Sequence, residues 1–324
     1  MKVILNQNGS RIDITNATGD ITVQGDYQQV ARQAELNVIR PQWDKQFPTI
    51  KPEIGNMIQL YENNVEVFQG IIFVNDSSLS NQQTSLTCLD GLVYFTHSDG
   101  YYNFKNETPE SITQKLCSEF GVPAGSIAST GVPVTFVANG MNIYDIMMKA
   151  YTKAAEKNGK KYFPIMQNGS LEVWEKGDEF VNVTLDYTIL QDVQYKQSIE
   201  DMKNKIIIYG DEDPNTGVAN VVAQATNEDW ISSYGILQHT QNASTDTQDH
   251  QAEANILLKG MTKDITLTCL GNVHMITGRS IQIVDDYHGL NTKAYIQADS
   301  HTWSNGIYTT QLTISLNNDM DIIT

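Results

Sequence analysis

The stretch GNMIQL at residues 55–60 is similar to the stretch GRSIQI at residues 278–283. In both stretches, aliphatic residues recur two positions apart, which is the period expected of a half-buried β-strand. The repeated pattern predicts two related antiparallel β-barrels. Chance agreement between strand-rich segments is the alternative, because Gly-x-x-Ile-x-Ile suits many strands. Further matches follow in the same order, with a register drift of a few residues: 70–72 with 295–297, and 84–89 with 310–315.

Between these strand-rich regions the pattern changes near Gly100. Thr108 supplies a capping hydroxyl, and Pro109 after it suits the first position of a helix. Gly121 then predicts the end of that helix. Apolar residues four positions apart give the helix one buried face.

A second helix is predicted from near Asn142 to the Asn158-Gly159 pair, and it is followed by a β-hairpin. The hairpin turn is the Asn168-Gly169 pair, since Asn-Gly is the strongest short hairpin signal. Further along, strands dominate again, apart from a helix predicted over residues 246–259 and closed by Gly260.

Together these patterns predict a β-rich α+β fold in which two related small antiparallel β-barrels flank an α/β middle domain. The first barrel is expected over residues 1–98 and the middle domain over 99–182. The second barrel is expected over 183–324, with a helical insertion at about 246–259.

Acidic residues number 38 and basic residues 21, which gives the 324-residue chain a formal net charge of −17. A surface this acidic repels phosphate, so neither a specific nucleic-acid ligand nor an anionic membrane is expected. The apolar run at residues 3–5 is too short for a signal peptide, and no stretch approaches the ~18 apolar residues of a membrane span. The distant cysteines Cys88, Cys117 and Cys269 then indicate reduced thiols in a cytosolic product.

One loop has the composition of a metal site. Residues 211–217, DEDPNTG, match the start of an EF-hand calcium loop through Asp211, Asp213, Asn215 and Gly217. The loop needs a bidentate glutamate at its twelfth position, where this chain has Val222. The sequence therefore favours an acidic hairpin tip, with weak metal binding as the alternative.

The residues Asp299, Ser300 and His301 include the residue types of a serine triad. Neighbours on a strand point to opposite faces, so they are not expected to form its geometry. Motifs for zinc, phosphate or dinucleotide binding are absent from the sequence. We therefore expect no catalytic, cofactor-binding or metal-binding residues and no enzymatic activity. A cell-wall-degrading tail enzyme with paired carboxylates and a receptor- or glycan-binding tail β-protein are the alternatives.

An ordered set of segments resembles the XkdQ-type hub protein of contractile phage tails and tail-like particles, a relative of the late-control gene D hub family. The segments cover most of the chain: YFTHS at 94–98, ITQKLCSEFGVPAG at 112–125, NIYDIMMKA at 142–150, SIEDMKN at 198–204, YGILQ at 234–238, QAEANILLKG at 251–260 and DSHTWS at 299–304.

The resemblance implies a structural baseplate hub, assembled in the cytoplasm of a bacterial host and placed in the baseplate of an infectious phage, a defective prophage or a bacteriocin. Three chains with two barrels each would form a homotrimeric, pseudo-sixfold ring between a hexameric tail tube and a trimeric spike. Other baseplate proteins and the tape measure would be further partners, with DNA only as non-specific cargo. Part of the negative charge would face the channel, or it would serve general solubility.

Overall fold

The computed structural model describes residues 1–28, 31–39, 50–78, 82–212, 216–243 and 249–323. Its contacts divide the chain into two compact units, one of Met1–Val193 with Thr266–Thr324 and one of Gln194–Ile265. Antiparallel strands dominate and short helices accompany them, so the predicted β-rich α+β class is confirmed. The predicted boundaries near residues 98 and 183 stay a prediction.

The first strand-rich region forms because aliphatic residues alternate with polar ones. Along one of its strands Ala34, Leu36 and Val38 are buried, and they pack with Ile58 and Leu60 of another. The strands are β1 (Lys2–Gln7), β2 (Ser10–Asp13), β3 (Thr18–Asp26), β4 (Gln33–Ile39), β5 (Met57–Glu62), β6 (Val65–Ser78) and β7 (Gln83–Leu89).

The middle segment packs two longer helices against short sheets. Its core includes Leu116, Met147 and Tyr151, all fully buried. The elements are α1 (Val93–Thr96), β8 (Asp99–Glu107), α2 (Pro109–Phe120), β9 (Ala124–Ile127), β10 (Val134–Asn142), α3 (Ile143–Asn158), β11 (Tyr162–Gln167) and β12 (Ser170–Glu175).

The local signals of this segment act as the sequence predicts. The Thr108 hydroxyl accepts a hydrogen bond from the first turn of α2, and Gly121 ends that helix with a φ of 67°. Asn142 caps α3 in the same way. Asn168 and Gly169 have φ angles of 48° and 74°, which is the left-handed turn that joins β11 to β12.

The unit Gln194–Ile265 contains a small sheet in the order β16-β15-β17, with Ile206, Ile208 and Ala254 in its core. After β13 (Phe180–Leu185), the chain enters this unit within β14 (Leu190–Ser198). The elements that follow are β15 (Lys205–Glu212), β16 (Ala219–Thr226), α4 (Glu228–Tyr234), β17 (Gln238–Asn242) and α5 (His250–Leu257).

The helix predicted over 246–259 is shorter than expected. Residues 246–248 lie outside the described residues, and Asp249 caps α5. The helix ends at Leu257 because Leu258 is extended and Lys259 pairs with Lys203 in a β-bridge. Gly260 is therefore not the residue that stops the helix.

The chain returns to the larger unit within β18 (Thr262–Leu270), followed by β19 (Ser280–Asp285), β20 (Leu290–Ser304) and β21 (Ile307–Ser315). Four strands of this last region lie side by side in the order β18-β21-β20-β19. The first region has the order β4-β7-β6-β5, which is the same arrangement of four strands in the same chain order.

The turn before the second strand of each set is built alike. The Gly55 amide donates to the Ile72 carbonyl over 2.9 Å, and the Gly278 amide donates to the Ile296 carbonyl over 3.1 Å. Both glycines have a left-handed φ, 84° and 90°. In return, the Ile72 amide donates to the carbonyl of the residue after Gly55, and the Ile296 amide donates to the carbonyl of the residue after Gly278. Ile72 and Ile296 are therefore equivalent positions.

A β-bulge follows at the same place in both sets. The register of β6 against β7 shifts between Ile72 and Val74, and that of β20 against β21 shifts between Ile296 and Ala298. A bulge is a specific local feature of a strand pair, so its recurrence at an equivalent position is evidence that the two sets share one topology.

Both regions belong to one sheet of 13 strands among the described residues. Its path runs from β14 through β20 and β3 to β2, and β19 pairs with β20 and β13. None of the described pairings closes either region into a barrel. Instead, part of β20 pairs with β3 of the other region, so the two regions continue into one another.

Candidate functional site: the junction between the strand-rich regions

The second half of β20 joins the two strand-rich regions. It pairs antiparallel with β3, from Ala298 opposite Asp26 to Trp303 opposite Ile21. At 15 residues, β20 is long enough to pair with β19 through its first half and with β3 through its second. We call this β20–β3 pairing the junction.

The matching segment of β6 is exposed where β20 is covered. Val74 is the equivalent of Ala298 by the shared bulge, and it is 47% exposed, while Phe73 beside it is 41% exposed. Within the described residues, β6 pairs with β5 and β7. We call residues 73–77 the β6 edge. An exposed strand edge of this kind favours pairing with another chain.

A buried ion pair lies beside the junction. The Arg32 guanidinium donates to both carboxylate oxygens of Asp299, over 2.8 and 2.5 Å. Thr277 donates to the same carboxylate from its amide and its hydroxyl, over 2.7 and 2.6 Å. Burial alone would raise the pKa of Asp299, but the charge and hydrogen bonds of Arg32 hold that pKa well below its usual range. The carboxylate is therefore ionised and fixed in orientation.

His301 extends this network along β20. Its Nε2 lies 3.2 Å from Asp299 Oδ2, and its Nδ1 lies 2.8 Å from the Tyr308 hydroxyl. Alternation along the strand places Asp299 and His301 on one face and Ser300 on the other. The structure thus brings together two of the three residue types of a serine triad, without the nucleophile.

Asp90 is a second buried carboxyl group near Arg32. It accepts hydrogen bonds from the amides of Arg32 and Leu92, over 3.1 and 3.0 Å. Burial raises the pKa of Asp90 to about 7, and these hydrogen bonds only partly oppose that effect.

Asp90 and Asp299 have pKa values shifted in opposite directions, which is a feature of paired catalytic carboxyl groups. However, Asp299 lines a cavity of about 190 Å³ beside β3, whereas Asp90 lines another of about 180 Å³ beside residues 65–69. Arg32 contacts both carboxyl groups. Glycan hydrolysis needs two carboxyl groups that flank one bond, and these two face different spaces.

Lys176 links the middle segment to the junction. It is 2% exposed, its Nζ donates to Gln297 Oε1 over 2.9 Å and to the Asp319 carbonyl, and it lies 4.7 Å from the centre of the Tyr27 ring. Burial lowers its pKa to about 8, although Asp319 and Asp26 oppose the shift. This lysine holds the C-terminal segment, β20 and the residue after β3 together.

The predicted calcium-like loop is only partly described. Asp213 and Asn215 lie outside the described residues, while Asp211 is in β15 and Gly217 precedes β16, so strands flank the loop. Elsewhere in the described ranges, no group of three or more His, Cys, Asp or Glu side chains is placed to hold a metal ion. Among the helices in the described part of the chain, none is both long and apolar enough to cross a membrane.

Sequence reasoning did not single out Arg32, Asp90, Thr277 or Lys176. Arg32 could have been noticed in the sequence, because this charged residue directly precedes β4, in which alternate residues are buried. Its partner Asp299 lies 267 positions away, and no spacing rule connects the two.

Comparison with known families matches residues 21–315 to the family described as YQBQ-like. The chain is also similar to the phage-like element PBSX protein XkdQ of Bacillus subtilis (strain 168), with 24% identity over 319 residues and 93% of each chain covered. The XkdQ-type resemblance predicted from the sequence is therefore confirmed.

Two solved structures have a similar fold. The prophage MuSo2 43 kDa tail protein from Shewanella oneidensis aligns with a TM-score of 0.72 at 13% identity, covering 97% of this chain and 98% of that one. The tail protein from Neisseria meningitidis MC58 aligns with a TM-score of 0.65 at 14% identity, covering 97% and 95%. At these identities the likeness shows a shared fold.

Proposed function

This chain belongs to the YQBQ-like family, and from that premise we propose that it is a structural protein of the baseplate of a contractile phage tail or tail-like particle. The similarity to a protein of a phage-like element and to two tail proteins supports this proposal. The duplicated set of four strands is the observation on which the finer role depends.

The finer proposal is a homotrimeric hub. Three chains, each with two related barrel-like regions, would present six quasi-equivalent surfaces to a hexameric tail tube and threefold symmetry to a trimeric spike. The shared glycine turn and bulge support it, because a sixfold match needs two regions with the same backbone. Residues 1–98 and 183–324 would supply the barrels and residues 99–182 the middle domain.

The proposed partners are the tube protein, the spike or central tip protein, other baseplate proteins and the tape measure, with DNA as passing cargo. The protein would assemble in the host cytoplasm and act without catalysis. Part of the formal charge of −17 would line the channel, where like charge lets DNA slide without binding.

The mass of the purified chain, alone and with its tube and spike proteins, tests this proposal. We expect a trimer under at least one of these conditions, and imaging of the particle should place three copies between tube and spike. A stable isolated dimer in which both strand-rich regions are buried against each other would overturn it.

A further inference from the structure

We propose that the β6 edge pairs antiparallel with β14 of a second copy of this chain. The inference rests on the proposed ring and names the surface through which its copies meet. The junction within the chain is the template, because there the equivalent half of β20 is paired with β3.

β18 stands in the second region where β4 stands in the first. Val38 of β4 lies opposite Thr84, and the Cys269 thiol of β18 donates to the Thr310 carbonyl over 3.4 Å. The two threonines are equivalent by the register of their sheets, and both are completely buried. Cys269 is therefore the equivalent of Val38.

β14 borders β18 as β3 borders β4. Thr18, the first residue of β3, lies opposite Val38. The residue after Cys269, Leu270, donates its amide to the Ile189 carbonyl over 3.2 Å, directly before β14 begins. β3 shifts its register against β4 by one residue after Thr18. The Thr262 hydroxyl of β18 donates to the Ser198 carbonyl over 3.2 Å, so the far end of β14 has the same one-residue shift. The two nine-residue strands therefore align end to end. β14 thus occupies the place of β3.

This alignment makes a specific pair. In the junction, Ser300 lies opposite Gln24, the seventh residue of β3. On the β6 edge the equivalent of Ser300 is Asp76, and the seventh residue of β14 is Lys196. Both are exposed in this chain. An uncharged pair within the chain is thus replaced between chains by two opposite charges that face each other, which favours cross-strand pairing.

The apolar residues of the edge also match. Tyr27, the residue after β3, donates its amide to the Gln297 carbonyl over 2.9 Å, and Gln297 is covered. Ile199, which follows β14, is the equivalent of Tyr27 and is 37% exposed. Phe73 is the equivalent of Gln297 and is 41% exposed. A second copy docked in this way would bury two apolar side chains that are solvent-exposed in one chain.

The contact joins two different surfaces, so it is heterologous. Each copy offers one β6 edge and one β14, and repetition of such a contact gives a closed ring if the rotation closes. The same pairing would cover an exposed strand edge that otherwise favours aggregation.

Cysteine cross-linking tests the register. In an antiparallel pair, facing side chains are close enough for a disulfide. We expect Asp76→Cys with Lys196→Cys to give covalent multimers in oxidised glutathione. The native thiols are buried with raised pKa values, about 12 for Cys88, so they react slowly. The matched pair Asp286→Cys with Lys196→Cys should stay monomeric on a denaturing gel. A cross-link confined within one chain, or none, would overturn the register.

Charge reversal tests the pairing itself. We expect Asp76→Lys and Lys196→Asp each to weaken association about fivefold per contact, and the double reversal to restore it. Asp286→Lys, an equal charge change at the exposed turn between β19 and β20, should have little effect. If the chains form a ring that neither test disturbs, this pairing is wrong and the proposed function stands. If the chains never associate, alone or with tube and spike proteins, both this pairing and the proposed ring are wrong.

Discussion

Asp299 stays ionised in a buried position because Arg32 and Thr277 hold its carboxylate on both oxygens. Asp299→Asn keeps the shape of the side chain but removes the carboxylate that pairs with the buried guanidinium. We expect the free energy of unfolding to fall by about 3–5 kcal/mol, measured by urea denaturation. Ser300→Ala, on the other face of β20, should change it by less than about 0.5 kcal/mol. Equal effects of both variants would contradict the assignment.

Asp90 gives the chain a pH dependence of definite sign. Burial raises its folded pKa to about 7 from an ordinary value of 3.8. Between about pH 4 and pH 7 the folded chain keeps the proton that the unfolded chain loses, so stability falls as pH rises through this window. Asp90→Asn removes this effect.

We therefore expect the unfolding free energy of the variant, relative to that of the wild type, to rise by about 1–3 kcal/mol between pH 4 and pH 7. Urea unfolding at several pH values measures this difference. Above pH 7 the difference should level off, because the carboxyl group is then ionised in both states. A difference that does not change with pH would show that Asp90 titrates normally.

Strand alternation predicted that Ser300 points away from Asp299 and His301, and the structure brings the latter two side chains within 3.2 Å on one face of β20. The Arg32–Asp299 pair depends on β3 and β20 becoming neighbours, and that information is not local in the chain.

Elements with strong local signals were predicted correctly from the sequence. Thr108 and Gly121 bound α2, and the Asn168-Gly169 pair forms the hairpin turn, because caps and left-handed turns depend on a few adjacent residues. The seven-residue helix α4 was missed, since it is too short for a helical period and buries none of its residues. The predicted end of α5 was wrong because Lys259 forms a β-bridge with Lys203, which is distant in the sequence.

The duplicated turn offers a matched pair of glycine substitutions. Gly55 and Gly278 both have a left-handed φ, so an alanine at either position is strained. A Cβ on Gly55 would meet no atom within 4 Å, whereas one on Gly278 would lie 2.3 Å from the Phe163 ring. We expect Gly55→Ala to cost about 1–2 kcal/mol in unfolding free energy and Gly278→Ala to cost more. Urea denaturation of the two variants compares them, and a smaller loss for Gly278→Ala would contradict this packing.

For the whole molecule, the sequence indicated a duplication, which it predicted as two barrels, but not the continuation of the two regions into one sheet. Repetition is visible because GNMIQL and GRSIQI preserve residue types at equivalent positions. The junction is not visible, because β3 and β20 are far apart in sequence and neither has an unusual composition. The same limit applies to the β6 edge, whose exposure appears only when its equivalent in β20 is seen to be covered.

The proposed ring makes a prediction about salt. Each chain has a formal charge of −17, so bringing three together costs repulsion that extends beyond single contacts. Salt shortens the screening distance from about 30 Å at 0.01 M to about 8 Å at 0.15 M. We expect the trimeric fraction, measured by sedimentation at fixed protein concentration, to rise over this range. The doubly reversed Asp76→Lys, Lys196→Asp variant has the same net charge and should follow the same trend. A trimeric fraction that falls with salt would mean that attraction between facing charges, rather than shielding of the acidic surplus, controls assembly.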